Sequence, residues 1–533
     1  MDAALFFLGT ALVAVAYALR SFGRRPKGLP PGPPTLPIIG NLHLMPPKAP
    51  HHQFKKWADE YGPIYSLIMG PSSVMIVLTS DTAIKDLLDK RSSIYSSRQE
   101  MYIGQLLSGG HRMLLMQYGD TWRMIRRTVH NHLNIRAAKS YIPYQDLENR
   151  QMLVGFLDKP ERWDAHLRRY TNSLTTQMIF GFRTTDIDDK KLHQLYDGFA
   201  KFSETITSPA SRIIDVIPVL RHLPDFLFPV KKLAKKLHEK ELELFLGHWL
   251  NVKAAVKNGT ANPCVCVDLI KSQQVEGFSD NLASYISGSL LEAGSDTTSS
   301  TLIGWVQAMV LFPDVAKAAQ KEIDSVCGDR FPMLEDEPNL QYVRACAKES
   351  MRWMPTAILG VPHAAMRDDE YLGYRIPKGA GVMWNVWGIH HDEKRFPNAR
   401  VFDPTRYAND RQSSSEAALN GDATQRDHFL FGAGRRVCQG MHIADRSLFL
   451  AISRLLWAFE FHPVEDAAGN KLLPNPDDLT EGLLVQPKPF SVRIVPRSLT
   501  KEEIVRKEWA DVGEFLNEEG QWKKVPDEIK RID

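Results

Sequence analysis

The stretch FLFGAGRRVCQG, residues 429–440, places a single cysteine among glycines and arginines. It leads into the run MHIADRSLFLAISRLLWAF, whose apolar residues recur with the helical period and predict a helix over residues 441–459. Cys438 therefore lies at the predicted N-terminus of a helix, where unpaired backbone N–H groups and the helix dipole favour an anion. Arg435 and Arg436 add positive charge beside it. Together these effects predict that the thiolate form of Cys438 is favoured.

Glycines on both sides of Cys438 distinguish this loop from the surroundings of an ordinary cysteine. A lone cysteine most often packs as a small, half-buried apolar side chain. Gly434 and Gly440 instead allow the backbone to approach a large, flat group. Packing, redox chemistry and metal ligation all remain open for Cys438 until other motifs are considered.

The composition is that of a globular protein with a large core. Of the 533 residues, 43% are hydrophobic and 24% are charged, and the formal net charge is +3. That charge balance argues against a nucleic-acid binder, so any basic surface for a partner is local. The five cysteines are sparse and odd in number, which is typical of a reduced protein rather than of a disulfide framework.

The N-terminal residues predict a membrane anchor. Residues 3–19 are uncharged and almost wholly apolar, and as a helix they would reach about 26 Å, the short end of a bilayer span. A basic cluster over residues 20–27 predicts that the chain after the span is cytosolic. A cleaved signal peptide is the alternative, because Ala16-Tyr17-Ala18 resembles a cleavage site. The acidic Asp2 before the apolar run favours the retained anchor.

A proline-rich segment separates this anchor from the rest of the chain. Residues 29–37 contain five prolines in nine residues, so they can form neither a helix nor a paired strand. Beyond residue 40 no second linker or repeat divides the sequence. The predicted organisation is a transmembrane anchor (1–20), a basic and proline-rich hinge (21–39), one large domain (40–499) and a charged C-terminal extension (500–533).

Helical periodicity dominates the large domain. Apolar residues recur at helical spacing over residues 241–257, 280–311, 313–326 and 441–459. Shorter β-branched and aromatic runs predict strands over residues 64–69, 73–78, 371–376, 381–386 and 491–495. The predicted fold class is mainly α with small β-sheets.

Three further motifs contain polar residues that local structure alone explains poorly. AGSDTT, residues 293–298, lies in the middle of the apolar helix 280–311, although its residue types favour caps, kinks and helix ends. Glu349 and Arg352 are three residues apart, which alone would be a weak surface pair. Trp122 and Arg126 have the i, i+4 spacing of one helix face.

These motifs together resemble the cytochrome P450 family of haem-thiolate monooxygenases. FxxGxRxCxG is complete over residues 431–440, and the other motifs occur in the family's order across nearly all of residues 30–497. The segments SGSLLEAGSDTTSS and FDPTRYA are most similar to those of fungal microsomal members that act in secondary metabolism. The resemblance implies the cytochrome P450 fold, a single large haem domain behind the N-terminal membrane anchor.

The resemblance also implies a role for each motif residue. Cys438 would be the axial ligand of the iron in haem b, iron protoporphyrin IX. Asp296 and Thr297, in a widened turn of the distal helix, would deliver protons for oxygen activation. The other implied haem contacts, from the loop and to the propionates, are Phe431, Gly434, Gly440, Arg436, Trp122, Arg126, His363 and Arg98.

A structural network is implied at Glu349, Arg352 and Arg406. In the family a glutamate serves two arginines and holds the segment before the haem loop. Residues 404–407 are Pro-Thr-Arg-Tyr where many members have Pro-Glu-Arg-Phe, but the arginine is kept.

The implied activity is insertion of one atom of O2 into a hydrophobic small molecule. The alternatives are a haem-thiolate isomerase, dehydratase or reductase, and a non-enzymatic haem or gas-binding protein. Asp296 and Thr297 argue against the first group, because haem-thiolate enzymes that need no external oxygen often lack such a pair. A gas-binding protein would not need an organised proton path or a pocket. No nucleic-acid partner is expected.

Electrons are expected from a separate protein, because about seventy residues after the haem helix are too few for a flavin domain. The family's usual donor is the NADPH–cytochrome P450 reductase of the endoplasmic reticulum, with cytochrome b5 as an additional candidate. A basic docking face for this electron donor is predicted at Arg123, Arg127 and Arg435. The predicted location is the endoplasmic reticulum membrane, single-pass, with a cytosolic catalytic domain.

The implied pocket walls predict a hydrophobic substrate. They include the apolar residues Ile358, Leu359, Val361, Leu483 and Leu484, and also the stretches 199–240 and 287–292. The sequences of the motifs favour a small aromatic substrate of polyketide origin, while terpenoids and alkaloid-like compounds remain alternative substrates.

Three features have no place in this scheme. His390 and His391 match no motif and are predicted to lie on the surface. Asn258-Gly-Thr260 fits a glycosylation acceptor that a cytosolic domain would not encounter. Residues 500–533 are predicted to be a charged, helical tail without an assigned role.

Overall fold

Helices make up most of residues 22–71 and 73–531, the residues that the computed structural model describes. The predicted anchor over residues 3–19 lies outside them. The α-helices are α1 (Pro50–Tyr61), α2 (Asp81–Ile84), α3 (Ser92–Tyr95), α4 (Tyr102–Ser108), α5 (Asp120–Leu133), α6 (Ile135–Ser140), α7 (Ile142–Asp158), α8 (Trp163–Phe180), α9 (Lys190–Thr207), α10 (Pro209–Val216), α11 (Pro229–Lys257), α12 (Val265–Glu276), α13 (Asp280–Leu311), α14 (Pro313–Cys327), α15 (Gln341–Trp353), α16 (Val386–His390), α17 (Ser414–Leu419), α18 (Met441–Ala458) and α19 (Leu499–Gly513).

The strands form three small sheets. Their bounds are β1 (Ile64–Met69), β2 (Ser73–Leu78), β3 (Ser97–Arg98), β4 (His363–Ala364), β5 (Asp369–Tyr371), β6 (Tyr374–Ile376), β7 (Gly381–Trp384), β8 (Phe459–Glu465), β9 (Lys471–Leu472) and β10 (Val492–Pro496). The largest sheet has the order β1-β2-β7-β4-β3, in which only β2 and β7 run parallel. The others have the orders β10-β8-β9 and β5-β6. The fold class is mainly α with small sheets, as predicted.

Most of the predicted elements are present, and the differences have local causes. Helix 280–311 and strands 64–69 and 73–78 have their predicted bounds. The strand predicted over residues 371–376 is instead a hairpin, because Leu372 and Gly373 have φ of 53° and 77° and form a two-residue turn. The helix predicted from residue 241 begins earlier, at Pro229, since its charged first half is rich in helix-forming Lys, Glu and Leu.

The core is organised around α13 and α18. Leu302, Trp305 and Val306 of α13 belong to the same buried apolar cluster as Leu450 and Leu455 of α18. Helix α13 also packs along α8. These contacts place the C-terminal halves of α13 and α18 in the interior of the domain.

The proline-rich segment is packed against the first sheet. Arg25 donates from Nε to Ser66 Oγ at 2.9 Å and from Nη1 to the Gly32 carbonyl at 2.9 Å. A Cβ at Gly32 would lie 2.1 Å from the Ser66 carbonyl oxygen, so only glycine fits there. The segment is thus held on β1 rather than free of the domain.

The C-terminal extension is part of the folded domain. Helix α19 packs against α7. Beyond it, the Trp522 indole donates to Gln177 Oε1 at 2.7 Å, and its ring centre lies 6.0 Å from that of Tyr144. Val525 and Ile529 are buried in a second apolar cluster. The extension is therefore predicted to stabilise the fold rather than to form an independent tail.

Deleting residues 514–533 is expected to destabilise the protein by about 3 kcal/mol or more, because burial of each of two aliphatic side chains contributes about 1.5–3 kcal/mol. The measurement is the midpoint of denaturant unfolding. Phe515→Ser is the matched control, since Phe515 is 59% exposed within the same extension. Equal midpoints for the truncated and full-length chains would contradict the docking.

Among residues 22–71 and 73–531, no single helix is long and apolar enough to cross a bilayer. Helices α13 and α14, which meet at a bend of 104°, reach that length and apolar character only as a pair.

Candidate active site

The cysteine loop folds back on itself just before α18. The backbone N–H of Cys438 donates to the Phe431 carbonyl at 2.8 Å, and residues Gly434–Arg436 form one turn of 3₁₀ helix between them. Gly432 has a φ of 78°, which favours glycine at this turn. Phe431 is buried in the main core cluster and anchors the loop.

The two flanking glycines have different surroundings. A Cβ at Gly434 would lie 1.9 Å from the Leu88 carbonyl oxygen, and its N–H donates to Asp89 Oδ1 at 2.6 Å. Gly434 is therefore required by packing against the π-helical turn Lys85–Lys90, which explains it without any contact to a flat ligand. A Cβ at Gly440 would approach only the Cys438 sulfur, at 4.0 Å. Gly440 thus keeps the space beside the sulfur open.

The thiol of Cys438 differs from the sequence prediction. Burial raises its pKa, and the opposing effects of the Gly440 N–H and of Arg126 do not reverse that shift. The protein alone therefore does not favour the thiolate. The helix N-terminus was correctly predicted, but desolvation of the sulfur outweighs it. A metal cation at the sulfur is what would make the thiolate the stable form.

Basic side chains gather beside the loop. Arg98 in β3 pairs directly opposite His363 in β4. The Arg436 guanidinium lies 4.5 Å from the centre of the Trp122 ring, and that of Arg126 lies 6.0 Å from it. Across the described residues, none of these three arginines forms an ion pair with an Asp or Glu side chain within 4.0 Å. The predicted propionate partners thus form a positively charged cluster.

Among residues 22–71 and 73–531, the hydrogen bonds that these arginines donate all go to backbone carbonyls. Arg98 donates to the carbonyls of Leu114 and Val361, Arg126 to that of Val437, and Arg436 to those of Ser96 and Met116, at 2.5–3.0 Å. Each guanidinium carries five N–H donors, so donors remain for a ligand.

The electrostatics of this cluster fit an anionic group. Burial, together with repulsion from Arg126, lowers the pKa of Arg436 to about 9, and burial lowers that of Arg126 to about 10. Carboxylates beside these cations would remove that penalty. The residues present therefore fit the propionates of haem.

His363 fits the propionate role less well than the arginines. Its Nδ1 lies 2.6 Å from the Tyr95 carbonyl, so the proton of the neutral ring is on Nδ1 and Nε2 can only accept. Burial lowers the pKa of His363 far below its usual value. It could donate to a carboxylate only after protonation, which the charge of that carboxylate would favour.

The AGSDTT motif lies inside an unbroken helix. Helix α13 is α-helical from Asp280 to Leu311, and the Thr297 hydroxyl donates to the Ala293 carbonyl four residues earlier at 2.8 Å. The widened turn implied by the family resemblance is thus not present, and neither is a helix end. A Cβ at Gly294 would lie 2.6 Å from Thr175 Oγ1, so close packing against α8 accounts for the glycine.

Asp296 has the electrostatic properties of a proton carrier. Burial raises the pKa of its carboxyl group to about 6, against the opposing charge of Arg168. A group with a pKa of about 6 can both accept and release a proton near neutral pH. The prediction of a proton-delivering pair at Asp296 and Thr297 is therefore consistent with this environment.

The structure brings together the three residues of the predicted network. Glu349 accepts from Nε and Nη2 of Arg352, both at 2.7 Å, and its Oε1 lies 3.5 Å from Nε of Arg406. The same oxygen accepts the Asp403 N–H at 2.8 Å, and Arg352 donates to the His390 carbonyl at 2.8 Å. The network therefore ties α15 to the segment that precedes the cysteine loop.

The prediction that His390 and His391 lie on the surface is wrong. Both are buried, because α16 packs between α1 and α15. His390 Nε2 accepts the backbone N–H of Phe429 at 2.8 Å, and the His391 ring stacks on Trp387 with centres 4.2 Å apart. The interleaved apolar residues of NVWGIHH were the signal for burial. His390 is a structural link to the start of the cysteine loop.

One group of polar residues was missed by the sequence analysis. Arg112, from the loop after α4, forms ion pairs with both Glu241 of α11 and Glu292 of α13, and all three side chains are at least nine-tenths buried. Residues 287–292 and 199–240 were predicted only as pocket walls. An acidic residue one helical turn before Asp296, in an otherwise apolar stretch, was the available signal.

A half-buried cysteine at the N-terminal end of a helix, a basic cluster for carboxylates and an acid–alcohol pair on a long core helix are consistent with a haem-thiolate oxygenase site. The family model for cytochrome P450 matches residues 30–494. The chain belongs to the cytochrome P450 family.

Curated relatives extend this comparison over nearly the full chain. The chain is 54% identical to cytochrome P450 monooxygenase virE of Hypocrea virens, over 99% of this chain and 96% of that protein. It is 54% identical to cytochrome P450 monooxygenase fogE of Aspergillus ruber, over 97% of this chain and 96% of that protein. It is also 52% identical to cytochrome P450 monooxygenase fsoB of Humicola fuscoatra, over 99% of this chain and 98% of that protein.

A solved structure supports the fold. A zebra fish cytochrome P450 solved with abiraterone has a TM-score of 0.67 and 24% identity, over 84% of this chain and 100% of that one. The family model and the curated relatives show that the chain is a haem-dependent monooxygenase, an oxidoreductase that acts on a small molecule and receives electrons from a reductase.

The protein's own residues prepare the site for that chemistry. When bound, haem supplies the redox centre that reduces dioxygen and inserts one of its atoms into the substrate. Arg98, Arg126 and Arg436 would hold its propionates, and Cys438 its iron. Asp296 would hold a proton on its carboxyl group, and the Thr297 hydroxyl would orient the delivery of that proton.

Thr297→Ala is expected to keep the haem spectrum and to lower product formation about a hundredfold, with the oxygen diverted to hydrogen peroxide, because proton delivery loses its hydroxyl. The measurement is the ratio of product and peroxide to NADPH consumed. Thr297→Ser, which keeps the hydroxyl, is the matched control. If the ratio of product to NADPH consumed were unchanged in the alanine variant, a role of Thr297 in proton delivery would be contradicted.

Proposed function

We propose that the protein hydroxylates a small hydrophobic molecule, an aromatic product of polyketide origin, in fungal secondary metabolism. The observation that carries hydroxylation is the acid–alcohol pair on α13, whose carboxyl pKa of about 6 suits proton delivery. The fungal origin of the relatives supports the biological setting.

The substrate class is supported by the position of the apolar residues. The N–H of Val485 donates to the Thr356 carbonyl at 2.8 Å, which joins the 483–485 tip to the 356–361 segment. Ile358 is buried, and Leu359, Val361, Leu483 and Leu484 are half-buried. An apolar wall of this kind suits a ligand with an extensive hydrocarbon surface.

The test is turnover by the haem-loaded full chain with NADPH, a separate reductase and isotopically labelled dioxygen. Candidate aromatic, terpenoid and alkaloid-like compounds are supplied as a panel. One labelled oxygen atom in an aromatic product is the expected result. Conversion without oxygen would instead identify an isomerase or dehydratase, and labelling only of terpenoids or alkaloids would refute the aromatic substrate class.

We further propose a single-pass anchor over residues 1–20, a hinge over 21–39, a haem domain over 40–499 and an extension over 500–533, at the endoplasmic reticulum membrane. Exposed apolar side chains support membrane attachment. They occur near the hinge and around the chain between α10 and α11: Phe22, Leu36, Ile38, Ile39, Val219, Leu223, Phe226, Leu227 and Leu233. Gly70 lies between the two groups, since its N–H donates to the Ile39 carbonyl at 3.3 Å and a Cβ there would lie 3.1 Å from Val216.

Membrane topology is testable at Asn258, which is exposed at the end of α11. Flotation of the full chain with microsomes is expected, together with loss of flotation when residues 1–20 are removed. Asn258 is expected to carry no glycan in a eukaryotic host. Glycosidase-sensitive mobility that disappears in Asn258→Gln would place the domain in the lumen and refute the proposal.

Arg123, Arg127 and Arg435 are proposed as the docking face for NADPH–cytochrome P450 reductase, with cytochrome b5 as an additional donor. The guanidinium groups of Arg123 and Arg435 both lie near the Tyr118 ring, at 6.0 and 5.5 Å from its centre. Arg127 is 70% exposed on the same helix as Arg123. Their ion pairs with Asp120 and Glu276 are solvent-exposed and therefore weak, so the positive charge remains available.

Reversing both charges, Arg123→Glu with Arg127→Glu, is expected to lower reductase-supported turnover about tenfold at low salt and to flatten its salt dependence. The haem spectrum should not change. Lys317→Glu with Lys321→Glu on α14 is the matched control for net charge. If the α5 and α14 variants behaved alike, this docking face would be refuted.

A further inference from the structure

A cavity of about 540 Å³ opens between α4, α9, α11 and α13. Its wall includes the exposed side chains of Lys190, His193 and Lys201 on α9, which are in contact with solvent. Phe202, Phe245 and Glu292 are buried residues of the same wall. The cavity therefore leads from the surface of the domain to the middle of α13.

Among the carboxylates that line this cavity, Glu241 and Glu292 are held by one arginine that lies behind them. Glu241 and Glu292 belong to the lining, whereas Arg112 does not. Arg112 is almost fully buried, forms ion pairs with both glutamates and lies 3.9 Å from the centre of the Phe202 ring. Its guanidinium fixes the two carboxyl groups side by side at the buried end of the cavity.

The hydrogen bonding of this cluster is incomplete. Oε2 of Glu241 is buried and forms no hydrogen bond within 3.5 Å in the described part of the chain. The Tyr285 hydroxyl, which also interacts with this carboxyl group, is hydrogen-bonded to His238 Nδ1 at 2.7 Å. Two acids share one base, and burial, reinforced by the charge of Glu241, raises the pKa of Glu292 despite the ion pair with Arg112. A buried carboxylate oxygen without a donor is costly, so a donor from outside the protein would be stabilised there.

A second buried glutamate shows what a purely structural cluster looks like in this protein. Glu148 is shared by Arg169 and Arg183, and Gln177 also donates to it at 2.8 Å. Two bases thus serve one acid, and both of its carboxylate oxygens have partners. The cluster at Arg112 has the reverse ratio and borders a cavity, which is the arrangement of a binding site.

We propose that Glu241 and Glu292 bind a hydroxyl group of the substrate, whose O–H donates to the free carboxylate oxygen. The substrate class is then a small hydrophobic molecule with a phenolic or alcoholic hydroxyl, and this inference rests on the proposed function. Glu292 precedes Asp296 by one turn of α13, on the same face of the helix. A molecule held by its hydroxyl at Glu292 would extend along that face toward Asp296.

The experiment compares two probes that differ only in this donor, para-butylphenol and its methyl ether para-butylanisole. Binding to the haem-loaded full chain is measured by isothermal titration calorimetry, independently of turnover. The parent protein is expected to bind the phenol at least about tenfold more tightly than the ether, since a buried hydrogen bond to a charged group is lost with the ether. Glu241→Gln and Glu292→Gln should reduce that preference to about twofold or less.

Glu239→Gln is the matched control, an exposed glutamate on the same helix that does not line the cavity. It should keep the full preference for the phenol. Equal unfolding midpoints and haem spectra establish that the three variants are folded. The inference is overturned if the parent protein does not prefer the phenol, including by binding neither probe, or if the Glu241 and Glu292 variants keep the preference.

The outcome is separable from that of the proposed function. A protein that prefers the phenol but never incorporates labelled oxygen would retain the binding site and lose the hydroxylation proposal. Incorporation of oxygen into a compound without a hydroxyl, at the same rate in parent and Glu292→Gln proteins, would support hydroxylation and refute the binding site at Glu241 and Glu292.

Discussion

Cys438→Ala is expected to abolish the strongly red-shifted Soret band of the reduced, carbon monoxide-treated protein and all monooxygenation with it. Loss of the sulfur removes the one side chain of the loop that would serve as a thiolate ligand of the haem iron. Within residues 22–71 and 73–531 the other four cysteines lie outside this loop, and three of them are buried. None of them can take the place of Cys438.

Cys264→Ala is the matched control, because Cys264 is also half-buried but lies at the N-cap position of α12, where its side chain makes no capping bond. That variant should keep both the band and the turnover. Haem content is measured in each protein, so that loss of the ligand is distinguished from loss of the cofactor. A red-shifted band in Cys438→Ala protein would refute the assignment of the axial ligand.

The sequence predicted best where one local pattern dominates. Helix α13 follows from a long apolar run that ends at Phe312-Pro313, and β1 and β2 follow from β-branched runs. The spacing of FxxGxRxCxG placed Cys438 before α18 because both are contiguous in the chain. Such features depend on neighbours within about ten residues, and tertiary contacts do not override them.

The remaining features depend on residues far apart in the chain. Whether desolvation or the helix N-terminus controls the Cys438 thiol depends on what encloses the sulfur, which no local pattern reveals. The requirement for glycine at position 434 comes from the close approach of the Leu88 carbonyl, and that at position 294 from the close approach of the Thr175 side chain. The pairing of Arg112 with Glu292 spans 180 residues. A buried acid in a sequence can be recognised as unusual, but its partners become known only from the fold.

Glu349→Ala is expected to destabilise the protein by about 3–5 kcal/mol, because Arg352 would remain fully buried without its counterion. The N–H of Asp403 loses its acceptor and Arg406 loses a counterion, so the segment leading to the cysteine loop would lose its attachment to α15. The measurements are the midpoint of denaturant unfolding and the haem content of the purified protein. Both are expected to fall.

Two further variants separate charge from packing. Glu349→Gln keeps the shape of the side chain and removes the charge, so it should show most of the loss if the ion pair is responsible. Glu335→Ala removes an exposed glutamate shortly before α15 and should change the unfolding free energy by less than about 0.5 kcal/mol. If Glu349→Ala protein unfolded at the midpoint of the parent with full haem content, the network would not hold the loop. The attachment would then rest on other contacts, of which the bond from the Phe429 N–H to His390 Nε2 is the first to test.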